Sequence, residues 1–113
     1  MTIAQRKPDM HLAFLEGGPK KLLIDGRWVD AASGKTFETI DPSTGQVLAR
    51  VAEGDREDID AAVAAARRAF DGPWRKFKPY DRQQVILKLA DLVDKHFDEL
   101  SLIDTLDMGA PIS

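Results

Sequence analysis

The spacing of apolar residues changes near Asp55, and this change constrains the fold more than any other feature of the sequence. Before Asp55, apolar and β-branched residues come in short runs separated by turn residues, a pattern typical of strands. After it, they recur at spacings of three and four residues, as in Ile59, Ala62, Val63 and Ala66, the pattern of one buried helix face. The sequence therefore predicts a group of strands followed by a group of helices.

Two strand pairs are predicted in the first half. The first pair flanks Asp25-Gly26, a dipeptide typical of a two-residue hairpin because Gly tolerates a positive φ. The second pair flanks residues 41–45 (DPSTG), in which Pro presets φ and Asp and Ser can bond to nearby backbone. The predicted strands are residues 22–24, 27–29, 36–40 and 46–52.

Helix start and stop residues divide the second half. Asp55 is the predicted N-cap of the first helix, and Gly72-Pro73 ends that helix. Asp81 is predicted to cap a second helix that ends near His96, and a shorter helix covers residues 98–107. Two amphipathic helices and about four short strands need more sheet or helix to cover their apolar faces. We therefore expect that the chain does not bury a complete core alone.

The first twenty residues are predicted to be a flexible N-terminal arm or a single helical turn. They mix charged residues with one short apolar stretch and contain Gly17-Gly18-Pro19, which breaks regular structure.

Composition excludes several classes of function. The 113 residues contain no cysteine, so disulfides, zinc thiolates and a cysteine nucleophile are excluded within them. Sixteen Lys and Arg against nineteen Asp and Glu give a net charge of −3, which argues against a nucleic-acid surface. The apolar runs are far shorter than the roughly 20 residues that cross a bilayer, and no secretory signal is evident. We expect a cytoplasmic protein that fits within one domain, with no membrane partner.

Four motifs invite functional interpretations, and each has a simpler structural one. Gly34-Lys35-Thr36 resembles the end of a phosphate-binding loop, but Val29 stands where the earlier glycine is required and a strand follows. The acidic run in residues 55–60 lacks the pattern of a calcium loop and is better explained by helix capping.

The histidines and the second tryptophan are also better explained structurally. His11 and His96 are isolated from any catalytic arrangement. Trp74, next to Arg75 and Lys76, is more typical of a loop anchor than of a nucleic-acid patch.

Several segments resemble, in their order and spacing, the start of the aldehyde dehydrogenase superfamily. The resemblance covers residues from about 21 to 113. Its motifs are residues 23–29 (LIDGRWV), 39–47 (TIDPSTGQV), 51–55 (VAEGD), 59–70 (IDAAVAAARRAF), the Trp74 loop, Arg82 with residues 87–92, and residues 105–111 (TLDMGAP).

The resemblance implies an α/β fold of which this chain is the N-terminal part. On this basis, residues 21–113 form an incomplete N-terminal part of a Rossmann-like cofactor-binding domain, with β-hairpins followed by helices, locally mixed α+β. The complete enzyme would oxidise an aldehyde to a carboxylic acid with NAD or NADP, and would be a homo-oligomer. The family's catalytic Cys and Glu and its cofactor-binding loops come later in the chain. We therefore expect the 113 residues alone to be inactive and to bind no cofactor.

One site is implied by position. Many relatives hold a structural monovalent cation where the backbone oxygens of Thr39 and Ile40 and the side chain of Asp107 stand here. The family's further ligand lies beyond Ser113, and Met108 and Ala110 stand where relatives often carry Asn and Lys. The alternative is that Asp107 closes a helix end.

A second function remains open. The chain could be a non-catalytic binding or assembly module that associates with a full-length relative through unpaired strands and apolar helix faces.

Overall fold

A computed structural model describes residues 12–111, which form four strands and four helices after a 3-10 turn at Ala13–Leu15. The bounds are as follows: β1 Leu22–Ile24, β2 Arg27–Val29, β3 Thr36–Ile40, β4 Val47–Ala52, α1 Arg56–Asp71, α2 Pro73–Lys76, α3 Pro79–Lys95 and α4 Phe97–Met108. The predicted order of strands followed by helices is confirmed.

Both predicted hairpins are present as two-stranded antiparallel sheets, β1–β2 and β3–β4. Asp25 (φ 54°) and Gly26 (φ 73°) both have positive φ, which is what a two-residue hairpin turn with matching strand twist requires. Lys20 extends the second sheet, since its N–H donates to the carbonyl of Arg50 and its carbonyl accepts from the N–H of Ala52, both at 2.8 Å. The predicted arm falls mostly on residues 1–11, outside the described residues, and its boundary at residue 20 stays a prediction.

The start of α1 is held by two carboxylates. Asp55 is the N-cap, as predicted, and its side chain accepts a hydrogen bond from the N–H of Arg56 at 2.8 Å. Asp58, only 6% exposed, accepts from the N–H groups of Asp55 and Ala32, each at 2.9 Å. These backbone donors, Asp55 first and Ala32 second, lower the pKa of Asp58. The acidic run therefore caps α1 and ties it to the loop before β3.

The prediction for the start of the second long helix was wrong. α3 begins at Pro79 with Lys78 as its N-cap, and Asp81 is already inside the first turn. There its carboxylate accepts from the N–H of Lys78 at 2.9 Å. Proline suits the first helical position because its missing N–H would have no partner there. The single turn α2, Pro73–Lys76, was not predicted either.

Apolar faces on the helices remain largely open. On α1, Ile59, Val63 and Phe70 are 58–60% exposed, so the burial predicted for this face is wrong for this chain. Within the described residues, α3 contains no buried side chain at all. The buried apolar residues of the described chain are Ala31, Ala52, Ala65 and Leu102.

Two global measures agree with this exposure. The radius of gyration is 17.6 Å, against about 13 Å for a compact chain of this length. The accessible surface is 8937 Å², whereas a compact monomer of this mass exposes roughly 6,200 Å². The expectation of an incomplete core is thus confirmed. Along residues 12–111, no helix is long and apolar enough to span a membrane.

Candidate functional site

Thr39 and Asp107, two of the residues predicted to bind a cation, are brought together where α4 ends beside β3. The hydroxyl of Thr39 donates a hydrogen bond of 2.5 Å to Oδ1 of Asp107, although the two residues are 68 positions apart. Ile40, the third predicted ligand, follows Thr39 at the end of β3. We call this group, with the adjoining turn at residues 41–45, the β3–α4 corner.

A bulge in the β3–β4 sheet lies at the predicted ligands. Thr39 pairs with Ala49, but Ile40 pairs with Val47, so Leu48 is the extra residue between them. A bulge interrupts the regular ladder and bends the strand. The peptide groups of Thr39 and Ile40 are therefore oriented differently from those of a regular strand.

The turn at residues 41–45 is held by hydrogen bonds and by a close contact with Gly109. Asp41 is 4% exposed, its N–H donates to the carbonyl of Gln46 at 2.8 Å, and its Oδ1 accepts from the N–H of Ser43 at 2.8 Å. The backbone of Gly109 approaches the ring of Pro42 so closely that an added Cβ would lie 3.0 Å from Pro42 Cγ. This approach fixes the end of α4 against the turn.

The end of α4 at the corner is negatively charged. The last turn of α4 contains no basic residue, and Asp107 lies there against the negative end of the helix dipole. Gly109, not Asp107, closes the helix, since it is left-handed (φ 75°) and its N–H donates to the carbonyl of Thr105 at 2.9 Å. The Asp107 carboxylate is thus turned toward β3 rather than toward its own helix end.

The donors available at the corner suit a weakly charged hard cation. They include the carboxylate of Asp107, the hydroxyl of Thr39 and the backbone carbonyls of the bulge, all of them oxygen. Within residues 12–111, no three His, Cys, Asp or Glu side chains are grouped to hold a metal ion.

An apolar cleft of about 340 Å³ opens beside the corner, between the 3-10 turn, the β3–β4 sheet and α4. Lys20, Thr39 and Asp107 line it together with apolar side chains. The apolar lining residues are Phe14, Leu15, Phe37, Leu48, Ala49, Val51, Ile103 and Leu106.

The other motifs take the structural roles favoured by sequence. Gly34 (φ 73°) lies in a loop before β3, and His96 pairs its Nδ1 with Oε2 of Glu99 at 3.5 Å on the surface. His11 lies outside the described residues. Trp74 anchors the α2 turn, with its ring 5.6 Å from that of Phe77.

Arg82 is a contact residue to which the sequence motifs assign no separate role. Its guanidinium lies 5.5 Å from the Trp74 ring centroid, and one Nη atom donates to the Trp74 carbonyl at 3.1 Å. No spacing rule pairs an Arg with a Trp eight positions earlier across a helix break, so the sequence carried no signal for this contact.

Comparison with known proteins gives one consistent match. The family model described as the aldehyde dehydrogenase family matches residues 28–113. The mitochondrial benzaldehyde dehydrogenase of Antirrhinum majus is 61% identical over 92 residues, which are 80% of this chain and 17% of that protein. The aminoacetaldehyde dehydrogenase of Pseudomonas aeruginosa is 47% identical over 95 residues, 83% of this chain and 19% of that protein.

Solved structures agree with the sequence match. The NAD⁺ complex of an aldehyde dehydrogenase from Bacillus cereus superimposes with a TM-score of 0.81 at 50% identity. The match covers 84% of this chain and 19% of that one. The chain thus spans about a fifth of the length of these relatives, and the match lies in their N-terminal part.

Proposed function

Because this chain belongs to the aldehyde dehydrogenase family, we propose that it serves as the N-terminal scaffold of an NAD(P)-dependent aldehyde dehydrogenase. Residues 21–113 would be an incomplete N-terminal part of the cofactor-binding domain. The observation that carries the proposal is the match to the N-terminal part of the relatives, at 61% identity in one of them. The open apolar faces of α1 and α3 add support, because the remainder of such an enzyme would cover them.

The complete protein would oxidise an aldehyde to a carboxylic acid, with NAD or NADP accepting the hydride. The NAD⁺ complex of the Bacillus cereus relative supports a nicotinamide cofactor. The 113 residues contribute no cysteine, so a thiolate nucleophile would have to come from elsewhere in the complete protein. Their part is to hold strands and helices in place. A homo-oligomeric state and a cytoplasmic location belong to the same proposal, although two relatives are described as mitochondrial.

The β3–α4 corner would bind a structural monovalent cation in the complete protein. The backbone oxygens of Thr39 and Ile40 and the carboxylate of Asp107 would be ligands from this chain. Three observations support this: the 2.5 Å approach of Thr39 to Asp107, the bulge at Ile40, and the absence of a basic residue in the last turn of α4. The cation would contact the Asp107 carboxylate and would replace part of its interaction with the Thr39 hydroxyl.

Cation binding at the corner is tested by thermal unfolding of the complete protein. The midpoint of unfolding is measured in KCl, NaCl and choline chloride at equal ionic strength. We expect K⁺ or Na⁺ to raise the midpoint relative to choline, because a ligand that binds only the folded state stabilises it. Asp107→Asn should abolish the difference. Asp104→Asn, an exposed acid on the same helix, should preserve it. Equal midpoints in all three salts would remove the cation from the proposal.

The scaffold role is tested by a chimera. Residues 21–113 replace the matched segment of the Bacillus cereus enzyme, and aldehyde-dependent NADH formation is measured. We expect activity within about tenfold of the parent, since no catalytic group is exchanged. A folded but inactive chimera would contradict the scaffold role. The isolated chain should form no NADH.

An assembly module is the second candidate, because a separate protein could also cover the exposed apolar side chains. Such a module would bind a full-length relative instead of completing a polypeptide. Co-purification with an intact relative, at a fixed stoichiometry and without gain of activity, would support this alternative. A chain that stays monomeric by native mass spectrometry in the presence of that relative would exclude it.

A further inference from the structure

Asp25-Gly26 is one of two Asp-Gly dipeptides in the chain, and Asp71-Gly72 is the other. An Asp followed by Gly is able to cyclise, because glycine has no side chain to shield its nitrogen from the preceding carboxyl group. The two dipeptides stand in different structures. The first forms the turn between β1 and β2, whereas Asp71 is the last residue of α1.

The Asp25-Gly26 turn is open at the atoms that would react. The side chain of Asp25 is 54% exposed, and an added Cβ at Gly26 would meet nothing within 4 Å. The N–H of Gly26 lies outside the ladder and donates no hydrogen bond within residues 12–111. An Nη atom of Arg68 lies 3.4 Å from Oδ2 of Asp25, but an exposed ion pair of this kind restrains the carboxylate only weakly.

The backbone of this turn is one peptide rotation away from a cyclising geometry. Positive φ at both Asp25 (54°) and Gly26 (73°) is typical of the type I′ form of a two-residue turn. Rotation of the peptide group between them gives the type II′ form, in which the ψ of Asp25 is about −120° and its φ stays positive. At this ψ the Cβ of Asp25 and the nitrogen of Gly26 are eclipsed, so both atoms fit into one planar five-membered ring. The rotation breaks no ladder hydrogen bond, because the ladder ends at the pair of Ile24 and Arg27.

The second Asp-Gly dipeptide is held away from this geometry. Asp71 belongs to α1, where the ψ of a regular helix is about −42°, so cyclisation has to open the last helical turn. The backbone of Gly72 also lies close to that of Arg68, since an added Cβ would be 2.8 Å from the Arg68 carbonyl oxygen. The structure therefore separates two dipeptides that are identical in sequence.

We propose that Asp25 is a modification site at which the chain forms a succinimide and then isoaspartate. The nitrogen of Gly26 forms a bond to Cγ of Asp25, and the hydroxyl of the protonated carboxyl group leaves as water with the amide proton. Water then opens the ring at one of its two carbonyl carbons. Opening at Cγ restores aspartate, whereas opening at the main-chain carbonyl carbon leaves the chain linked through Cγ, which is isoaspartate. No other reactant is consumed, and the site does not depend on the proposed oxidoreductase.

Isoaspartate at this position alters how the β1–β2 hairpin is attached to α1. It adds one CH₂ group to the main chain of a two-residue turn, and the length of such a turn fixes the register of the strands. It also moves the carboxylate away from the place where it meets Arg68, a residue of α1. The hairpin thereby loses an ion pair to the helix.

The test measures ring formation at both dipeptides in the same sample. The whole 113-residue chain is incubated in water enriched in heavy oxygen, since each ring that opens takes one oxygen atom from the solvent. Digestion with trypsin in ordinary water releases residues 22–27 (LLIDGR) and residues 69–75 (AFDGPWR), each with one Asp-Gly pair. Mass spectrometry gives the label in each peptide, and fragmentation by electron transfer identifies isoaspartate.

In the folded chain, residues 22–27 should gain the label roughly tenfold faster than residues 69–75, because the helix end must open before Asp71 can cyclise. In concentrated urea the two rates should agree within about twofold, because the turn and the helix are then lost. Asp25→Glu keeps the charge near Arg68 but cannot close a five-membered ring. It should remove the label from residues 22–27 and leave the labelling of residues 69–75 unchanged.

Three results would overturn the proposal. The first is equal labelling of the two peptides in the folded chain, or faster labelling of residues 69–75. The second is a difference of the same size that persists in urea, since the neighbouring residues rather than the turn would then determine the rate. The third is undiminished labelling of residues 22–27 in Asp25→Glu.

Discussion

The approach of Gly109 to Pro42 should make Gly109→Ala far more costly than the same change at a comparable glycine. Gly109 has a φ of 75°, and an added Cβ would meet Pro42 Cγ at 3.0 Å and Pro42 Cβ at 3.8 Å. Gly45 has nearly the same φ, 72°, but an added Cβ would meet nothing within 4 Å. The two positions therefore share the backbone strain and differ in the contact.

The magnitudes follow from these two terms. An alanine in the left-handed region destabilises the folded state by roughly 1–2 kcal/mol. About 0.4–1 kcal/mol of this is offset, because alanine reduces the conformational entropy of the unfolded chain relative to glycine. We expect Gly45→Ala to lower the free energy of unfolding by about 1 kcal/mol. At Gly109 the forced displacement of Pro42 adds roughly 1–3 kcal/mol, because a tight contact must be relieved by moving the backbone. The total there is about 2–4 kcal/mol.

The assay is urea unfolding of the 113-residue chain, followed by circular dichroism in a stabilising osmolyte such as trimethylamine oxide. A double-mutant cycle with Pro42→Ala isolates the contact, since removing the ring should reduce the cost of Gly109→Ala to that of Gly45→Ala. Equal costs at the two glycines, or a cost at Gly109 that Pro42→Ala leaves unchanged, would refute the packing of α4 against the turn.

Three further changes have definite expected results. The lowered pKa of Asp58 means that its contribution to stability is complete above the usual aspartate pKa of about 3.9 and is lost as pH falls through the lower folded-state value. An acid titration of helical circular dichroism should show this loss, and Asp58→Asn should remove it. Asp55→Ala should lower the free energy of unfolding in urea by about 1 kcal/mol, because the N-cap of α1 is lost. Asp60→Ala, which removes one exposed ion pair on the same helix, should lower it by less than about 0.5 kcal/mol. Thr39→Val should lower the free energy of unfolding by roughly 1 kcal/mol, because it removes the hydrogen bond to Asp107. A double-mutant cycle with Asp107→Asn, measured by thermal unfolding, checks whether the two changes are coupled.

Elements defined by local chemistry could be predicted from the sequence. The Asp25-Gly26 turn, the Asp55 cap and the stop at Gly72 each depend on residues within a few positions of one another. The start of α3 was misplaced because two local signals competed. Asp81 is a good N-cap type, but Pro79 at the first helical position and the carboxylate bond back to Lys78 place the start earlier.

Burial could not be predicted with the same success. The spacing of Ile59 and Val63 correctly indicates a helix, yet burial of that face depends on a partner that residues 12–111 do not supply. Periodicity reports which face is apolar, whereas the tertiary structure decides what covers it.

The β3–α4 corner could not be derived from local patterns either. Thr39 and Asp107 are far apart in sequence, and their pairing was expected only from the family resemblance. The bulge at Ile40 and the approach of Gly109 to Pro42 are tertiary features without a sequence signal of their own.

The scaffold role is tested most directly by complementation in two pieces. The Bacillus cereus aldehyde dehydrogenase is produced without its matched N-terminal segment and mixed with the 113-residue chain, and aldehyde-dependent NADH formation is recorded. We expect neither piece alone to be active and the mixture to form NADH. The backbone amides of α1 and α3 should gain protection from hydrogen exchange when their exposed apolar faces are covered. Turnover by the 113-residue chain alone, or full activity of the truncated enzyme without it, would contradict the account.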